Sequence, residues 1–337
     1  MINSRKIDHI RVICEDPKTD RKKHFFDNWQ LIHRALPEIS FKDVDPSIDF
    51  LGKRISFPLL ISSMTGGNND LLQKINRNLA IAAEETGVAM AVGSQRVMFS
   101  DSESIKSFKL REYAPNTVLI SNLGAVQFNY GFGIKEAREA VDVLEANGLF
   151  LHLNPLQEIV QPNGDTDFSN LSSSIAMIST KMDVPIILKE VGCGMSSIDI
   201  ELGLKAGIKY FDLAGRGGMS WSRIESHRDE QDDIGIFFQD WGIPTPIALE
   251  MARPYCKQAQ FIASGGIRNG LDILKSIIMG ASIGGIASPF LKPAMDSAEA
   301  VISLIESLRK EFVVSMFLVG AKRVQELHLN TALLWQK

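Results

Sequence analysis

The sequence of 337 residues predicts an α/β fold, a (β/α)8 TIM barrel, on three observations. Eight apolar segments of strand length recur along the chain, amphipathic helical segments lie between them, and the apolar segments end in polar or glycine residues. Strands that are apolar on both faces are typical of a parallel sheet covered by helices. Eight such β-α units within about 250 residues are the repeat that closes into a barrel.

The predicted strands alternate with helices that show start and stop signals. Asn68 or Asn69 can cap a helix that Gly87 ends, and a second helix is predicted over residues 134–146. A doubly wound open sheet is the alternative, but no Gly-x-Gly-x-x-Gly turn precedes an acidic residue at dinucleotide spacing. The predicted strands are residues 57–62, 88–93, 117–121, 149–153, 185–189, 210–214, 260–264 and 281–287.

Two segments lie outside this repeat. Residues 1–50 have mixed charge and little periodicity, so we expect an N-terminal arm and a short helix that cover the barrel. Residues 51–337 then form a single barrel domain. The stretch 214–245, after the sixth strand, is long and polar, which predicts a loop that acts as a lid over the strand ends.

Composition excludes several classes of protein. The net charge of -4 argues against a nucleic-acid partner, and no apolar run is long enough for a membrane span. The N-terminus has no signal-peptide core, so a cytoplasmic location is expected. Cys14, Cys193 and Cys256 are far apart in the sequence, which favours plain thiols over disulfides or a zinc site.

Every predicted strand ends in groups that can form hydrogen bonds. A purely structural barrel does not need such groups at all eight ends, whereas barrel enzymes place their active sites there. The pattern therefore predicts an enzyme. The polar strand ends are residues 62–67, 94–96, 121–124, 152–158, 189–190, 212–218, 264–268 and 284–288.

The last two strand ends predict a phosphate site. Gly265 and Gly266 let the backbone approach an anion, Arg268 can donate two hydrogen bonds to phosphate oxygens, and Gly284-Gly285 opens the neighbouring strand end. Lys189 suits a flavin, because a cation near the ring stabilises its anionic reduced form. The alternative for Lys189 is a salt bridge in the core.

A second group of donors is too large for one flavin phosphate, so a second, phosphorylated ligand is expected. Its candidate residues are Arg5, Lys6, His9, Ser94, Arg96, His152 and Asn154.

The stretch 152–158 runs from a strand into four polar side chains. His152 and Asn154 share a face of the strand, and Pro155 marks the end of the strand. Glu158, beside Gln157, can hold Mg²⁺ together with substrate phosphates, and the alternative is an acid that favours a helix N-terminus.

Seven motifs in this order resemble one known family over essentially the whole chain. They resemble the type II isopentenyl diphosphate isomerases. The motifs are Arg5-Lys-x-Asp-His9, Met64-Thr-Gly-Gly67, Ser94-Gln-Arg96, Ser121-Asn-Leu-Gly124, His152-x-Asn-x-x-Gln-Glu158, Lys189-Glu-Val-Gly192 and Gly265-Gly-x-Arg268.

This resemblance implies an FMN-dependent enzyme that interconverts isopentenyl and dimethylallyl diphosphate. It implies reduced FMN as an acid-base group without net redox change, NADPH as its reductant, Mg²⁺, and a homo-oligomer. It also implies a role for particular residues. The FMN would be lined by Ser63, Met64, Thr65, Ser94, Asn122, Lys189, Ser220, Gly266, Ile267, Arg268, Ala287 and Ser288. The substrate would be held by Arg5, Lys6, Ser94, Gln95, Arg96, His152, Asn154 and Gln157, and the metal by Glu158.

His152 and Gln157 are the candidate catalytic residues. Because an amide is a poor general acid, we expect the reduced flavin to protonate the substrate while Gln157 positions or relays. The chain departs from the family at Met219, where threonine is usual, and at Ala214, where serine is common. Both departures bear on FMN affinity more than on the type of reaction.

The residues leave two alternative functions, a flavin-dependent oxidase or dehydrogenase and a flavin-binding protein without turnover, and they argue against a third. An FMN-dependent 2-hydroxy acid oxidase or dehydrogenase needs a histidine base and arginines, and His227-Arg228 is the local candidate, in a charged segment (225–230) expected to be solvated. An inosine monophosphate dehydrogenase-like enzyme would need a cysteine that residues 215–242 lack. The non-enzymatic alternative is a flavin-binding protein without turnover.

Overall fold

The centre of the molecule is a closed barrel of eight parallel strands. The computed structural model describes residues 2–228 and 233–337. All eight predicted strands and the barrel itself are confirmed. The strands are β1 (Leu59–Ile61), β2 (Ala89–Ala91), β3 (Leu119–Gly124), β4 (Gly148–Leu153), β5 (Ile186–Glu190), β6 (Tyr210–Asp212), β7 (Gln260–Ser264) and β8 (Ile283–Ile286).

Helices surround the barrel and connect its strands. They are α1 (Ile2–Glu15), α2 (Asp70–Thr86), α3 (Ile134–Leu144), α4 (Pro155–Val160), α5 (Leu171–Ser179), α6 (Ser197–Lys205), α7 (Trp221–Ser226), α8 (Ile234–Phe237), α9 (Thr245–Ala252), α10 (Gly270–Ile278), α11 (Ser288–Asp296) and α12 (Ala298–Val319).

The ends of two helices illustrate how local sequence sets these bounds. The Asn69 side chain accepts a hydrogen bond from the Leu71 amide at the start of α2, and Gly87 ends it in the left-handed region, as predicted. Helix α3 ends at Leu144, two residues before the predicted end, because Glu145 adopts a left-handed conformation there.

The barrel interior and the helix layer form one apolar core. Strand residues are almost entirely buried, and Phe211 and Phe261 stack with ring centroids 5.7 Å apart. Strand β8 pairs with β1 through Gly284 and Leu59, which closes the sheet. Because the strands are parallel, all their carboxyl ends open at the same end of the barrel.

The N-terminal segment contains more regular structure than a single short helix. Helix α1 is followed by a strand, Trp29–Leu31, that pairs antiparallel with Leu334–Gln336, and by a hairpin of Ile48–Phe50 with Lys53–Ile55. The hairpin spans the predicted boundary at residue 50, so the division into arm and barrel domain stays a prediction.

The predicted lid after β6 contains α7 and α8. Residues 229–232 of this segment, which include Asp229 and Glu230, lie outside the described residues. No helix within the described ranges is long and apolar enough to cross a membrane.

Candidate active site

A cavity opens at the carboxyl ends of the barrel strands, and α1 lies beside its mouth. The structure brings most of the predicted site residues to its walls. Those that line the cavity are Arg5, Lys6, Ser63, Met64, Thr65, Ser94, Arg96, Asn122, His152, Asn154, Gln157, Glu158, Lys189, Gly266, Ile267, Arg268, Ala287 and Ser288.

Two predicted site residues do not line this cavity. Gln95 is fully buried, and its amide donates to the Ala140 carbonyl at 2.8 Å and accepts from the Asn122 amide at 3.0 Å. Ser220 caps α7, and its hydroxyl donates to the Gln239 carbonyl at 2.8 Å. Both side chains are held by the protein itself, which local sequence does not reveal.

The glycine loops after β6 and β7 form one wall of the cavity. Gly265 and Gly266 have φ angles of 88° and 83°, values that favour glycine. A Cβ atom at Gly265 would overlap the carbonyl oxygen of Gly215. Arg268 beside them donates to Asp20 and, at 3.3 Å, to the Gly217 carbonyl. This wall can therefore bind an anion through backbone groups of the glycine loops and through the Arg268 guanidinium.

The segment after β1 contributes polar groups to the same cavity. Among the described residues, the Thr65 hydroxyl is buried without a hydrogen-bond partner. Asn122 donates to the Ser63 hydroxyl at 2.8 Å, which fixes both side chains. Such a hydroxyl in a cavity wall can be satisfied by a bound polar ligand or by water.

Lys189 at the end of β5 forms a buried ion pair. Its Nζ lies 2.7 Å from Oδ2 of Asp212. The Ser264 hydroxyl donates to the other oxygen of Asp212 at 2.5 Å. The salt bridge considered from the sequence is therefore present, although Lys189 also lines the cavity.

Helix α1 brings two basic side chains, Arg5 and Lys6, to the cavity. The Lys6 ammonium donates to the carbonyls of Gly66 and Ser94. Burial, and then the nearby Arg5, lower the pKa of Lys6 to about 7. Arg5 donates to the Gln161 side chain at 3.0 Å, and its Nε is buried without a partner in the described part of the chain.

Glu225 in α7 is the main residue that the sequence did not single out. It is fully buried, so the expectation of a solvated segment is wrong at this position. Its carboxylate lies 3.0 Å from His9 Nε2 and accepts from Gln157 at 2.8 Å and Arg228 at 2.6 Å. Burial raises the pKa of Glu225, but these partners outweigh it and lower the value to about 2.

A weak signal for Glu225 was available. Glu225 and Arg228 have the spacing of neighbours on one helix face, and Ser220 is a typical cap before them. No local sequence pattern indicates the pairing of Glu225 with His9, because the two residues are far apart in the sequence.

Asp165 was also missed, and it joins two predicted residues. Its carboxylate pairs with Arg96 at 2.5 Å, and its amide donates to Glu158 at 2.8 Å. Glu158 is buried and also accepts from Asn154 at 2.8 Å and from Gln161. No group of three His, Cys, Asp or Glu side chains suited to a metal occurs in the ranges described.

His152 lies where the flavin and substrate candidates meet. Its Nδ1 is 2.7 Å from Oδ1 of Asn122. Burial lowers the pKa of His152 to about 3, with further contributions from Lys189 and Arg5. The imidazole of the protein alone is therefore neutral at physiological pH.

The histidine and arginine considered for an oxidase do not line the cavity. His227 lies 2.8 Å from Asp16, and Arg228 is paired with Glu225.

The Cys193 thiol is protonated, as expected for a plain thiol, because burial raises its pKa to about 12 and Glu190 adds to this effect. The two departures from the family pattern, Ala214 and Met219, do line the cavity.

Comparisons with known proteins agree with this geometry. The family model of FMN-dependent dehydrogenases matches residues 2–107 and 151–335. An isopentenyl-diphosphate delta-isomerase of Hydrogenovibrio crunogenus is 57% identical, over 99% of this chain and 98% of that protein. Proteins of the same name from Paracoccus zeaxanthinifaciens, at 53% identity over 99% of this chain and 98% of that protein, and Pyrococcus furiosus, at 40% over 96% and 84%, are also similar.

Solved structures support the fold. A flavocytochrome b2 variant with sulfite bound has a TM-score of 0.68 at 20% identity, covering 92% of this chain and 76% of that one. A mandelate oxidase variant with an FMN adduct has a TM-score of 0.65 at 19% identity, covering 93% and 88%.

Proposed function

The chain belongs to the isopentenyl-diphosphate delta-isomerases, in their FMN-dependent type II form, and on this premise we propose how its cavity acts on isopentenyl diphosphate. The enzyme is an isomerase and a flavoprotein. The observation that carries the proposal is the pairing, in one cavity, of a glycine wall suited to a phosphate with a cationic wall suited to a diphosphate.

The residues present fit FMN. Gly265 and Gly266 have positive φ angles and pack so closely on the Gly215 and Gly217 backbone that a Cβ has no room, and Arg268 is the cation beside them. The unpaired hydroxyl of Thr65 offers a further polar contact. When bound and reduced, FMN supplies an acid-base group next to the substrate. We assign its binding to Ser63, Met64, Thr65, Ser94, Asn122, Lys189, Gly266, Ile267, Arg268, Ala287 and Ser288, whose positions line the cavity.

The diphosphate is assigned to the wall formed by α1, Arg96 and the end of β4. Arg5, Lys6 and Arg96 supply cations, and His152 and Asn154 supply polar contacts from the end of β4. Holding the charged end of the substrate there keeps its reacting carbons in one orientation, which lowers the entropic part of the barrier. Arg5 Nε and Asn154 Oδ1, both buried and unpaired among the described residues, support a polar ligand at this wall.

Gln157 is assigned to the reacting end of the substrate. Its amide oxygen accepts from Asn154 at 3.1 Å, and its amide nitrogen donates to Glu225 at 2.8 Å. A side-chain amide whose oxygen and nitrogen are both hydrogen-bonded can orient a substrate or relay a proton. It is not an acid at neutral pH, so it cannot protonate the substrate by itself. These contacts favour a positioning role for Gln157 beside the flavin.

Mg²⁺ is assigned to Glu158. Magnesium is commonly held by one or two carboxylates together with substrate phosphates and water, so a single buried carboxylate beside the diphosphate wall fits it. Glu158 already accepts three hydrogen bonds, and a carboxylate has about four acceptor positions, which leaves one for the metal. NADPH as reductant and a homo-oligomer are proposed from the family resemblance, and the expected cytoplasmic location stays a proposal.

One experiment tests the proposal. The purified protein, loaded with FMN and reduced without oxygen, is incubated with isopentenyl diphosphate and Mg²⁺, and dimethylallyl diphosphate is measured. We expect product without net oxidation of the flavin. Bound, reduced FMN with no product would refute the proposed activity, and bleaching of oxidised FMN by a 2-hydroxy acid would favour an oxidase.

A further inference from the structure

The ion pair between Lys189 and Asp212 joins two neighbouring strand ends. The two residues are register partners on β5 and β6, and their charged groups are 2.7 Å apart. Lys189 lines the cavity, whereas Asp212 is fully buried and does not. The lysine is thus the member that can face a ligand, and the aspartate lies behind it.

Asp212 is itself fixed by groups on the next segments. One carboxylate oxygen accepts from Ser264 at the end of β7, at 2.5 Å, and from the Ala214 amide at 3.3 Å. The other accepts from Lys189. A lysine ammonium on a flexible stem has no preferred direction of its own, so the held carboxylate determines where this charge lies.

The surroundings of the Lys189 ammonium strengthen its electrostatic effect on nearby groups. Lys189 is mostly buried, and its Nζ lies 5.4 Å from the Phe150 ring centroid. In such a low-dielectric environment a cation acts strongly on neighbouring charges. Asp212 offsets part of that charge, so the pair presents a weaker and better-directed cation than an isolated lysine.

We propose that Asp212 is a positioning residue that fixes the Lys189 ammonium toward the flavin and moderates its charge, and so sets how strongly reduced FMN is stabilised. The inference rests on the proposed function, because it needs FMN beside Lys189. For a reaction without net redox change, the flavin must stay reduced while it exchanges protons. A moderated cation serves this need, because a stronger one would hold the anionic flavin too tightly to take up a proton readily.

The test measures the two-electron midpoint potential of FMN in the holoenzyme. In Asp212→Asn the lysine charge is no longer offset, so the reduced form gains stability. We expect the ratio of reduced to oxidised FMN at a fixed potential to rise about tenfold, a shift of about 30 mV for a two-electron couple. An unchanged or lower potential would overturn the inference.

A double-mutant cycle tests whether Asp212 acts through Lys189. In a Lys189→Met background there is no ammonium for Asp212 to direct or offset, so adding Asp212→Asn changes the potential of FMN little. An equal rise in both backgrounds would mean that Asp212 acts directly on the flavin, against the proposal. Asp45→Asn is the control. Asp45 forms an ion pair with Arg54 at 2.9 Å and does not line the cavity, so the midpoint potential of FMN in this variant stays at the wild-type value.

If Asp212→Asn does not fold, Asp212→Glu still decides. It keeps the negative charge but moves the carboxylate by one methylene, so the Lys189 ammonium is displaced with it. We expect the midpoint potential of FMN to differ from the wild-type value, and an equal potential would overturn the inference. Absence of FMN binding or of isomerase activity in the wild type would instead refute the proposed function.

Discussion

On one side of the cavity the wall consists of glycine loops, and on the other it consists of charged side chains. The glycine side comprises Gly215, Gly218 and residues 264–268 and 285–288, at and after the ends of β6, β7 and β8. The arm side comprises the residues of α1 and of 152–158 that line the cavity, together with Asp165 and Glu225 of α7, which contact them from behind. The glycine side depends on backbone conformation, whereas the arm side depends on ionised groups that must find each other across the chain.

The two sides should therefore respond to different kinds of substitution. A change of backbone on the glycine side alters the shape of the wall directly, because the interior there is closely packed. A change of charge on the arm side leaves the shape intact but exposes an unpaired ion to a low-dielectric environment. We therefore expect steric substitutions to act most strongly on FMN binding and isosteric ones on substrate and metal binding.

The largest effect is expected for Gly265→Ala. The new Cβ would overlap the Gly215 carbonyl oxygen at a φ of 88°, so the loop must move. We expect FMN affinity to fall by roughly 100-fold or the fold to be lost, consistent with the cost of strain at such sites. Titration of the apoprotein with FMN, together with thermal unfolding, measures both.

Gly131→Ala is the matched control for this substitution. Gly131 has a φ of 94° but no neighbouring atoms within 4 Å of a Cβ. It should lose about 1 kcal/mol of stability from backbone strain and no FMN affinity. Equal loss of FMN binding in both variants would show that strain alone, rather than the shape of the glycine side, is responsible.

Glu225→Gln should have the next largest effect, on the arm side. It removes the anion shared by His9 and Arg228, and breaking a buried pair costs about 3 kcal/mol. The folded-state pKa of Glu225, about 2, is below its ordinary value of 4.5, so its carboxylate stabilises the fold above about pH 4.5.

That stabilisation is lost as the pH falls toward 2. Unfolding by denaturant between pH 7 and pH 2 should show this loss in the wild type, with a flatter profile in Glu225→Gln. Parallel pH profiles for the two proteins would contradict the role of Glu225 as the centre of the arm side.

A smaller effect is expected for Glu158→Gln. The isostere keeps its place but loses the charge that attracts Mg²⁺, so the Mg²⁺ concentration for half-maximal isomerase rate should rise at least about tenfold. The exposed Glu250→Gln is the control. An unchanged Mg²⁺ requirement would remove Glu158 from the metal site.

The smallest effect is expected for Asp16→Asn. Asp16 accepts from Arg223 at 2.6 Å and His227 at 2.8 Å, which ties the segment after α1 to α7. Burial raises the pKa of Asp16, but these hydrogen bonds lower it to about 2. We expect a loss of about 1 kcal/mol at neutral pH. Thermal unfolding measures it, and FMN affinity should stay unchanged because Asp16 does not line the cavity.

The barrel and most residues of its polar end could be predicted from local patterns in the sequence. Strand signals such as 148–153 and caps such as Asn69 depend on neighbouring residues, and parallel strands necessarily place their ends together. For this reason Lys189, Gly266 and Glu158 were predicted as members of one site, although their roles stay predictions.

Which charged groups contact each other depends on the three-dimensional packing of the chain and could not be predicted. Glu225 was expected in solvent and is buried against His9, and Arg268 donates to Asp20 from the N-terminal segment. Gln95 and Ser220 point into protein contacts instead of the cavity. These outcomes depend on how α1 and the segment after β6 dock on the closed barrel. The distances between such side chains are set by packing among residues far apart in the chain, and no local pattern encodes them.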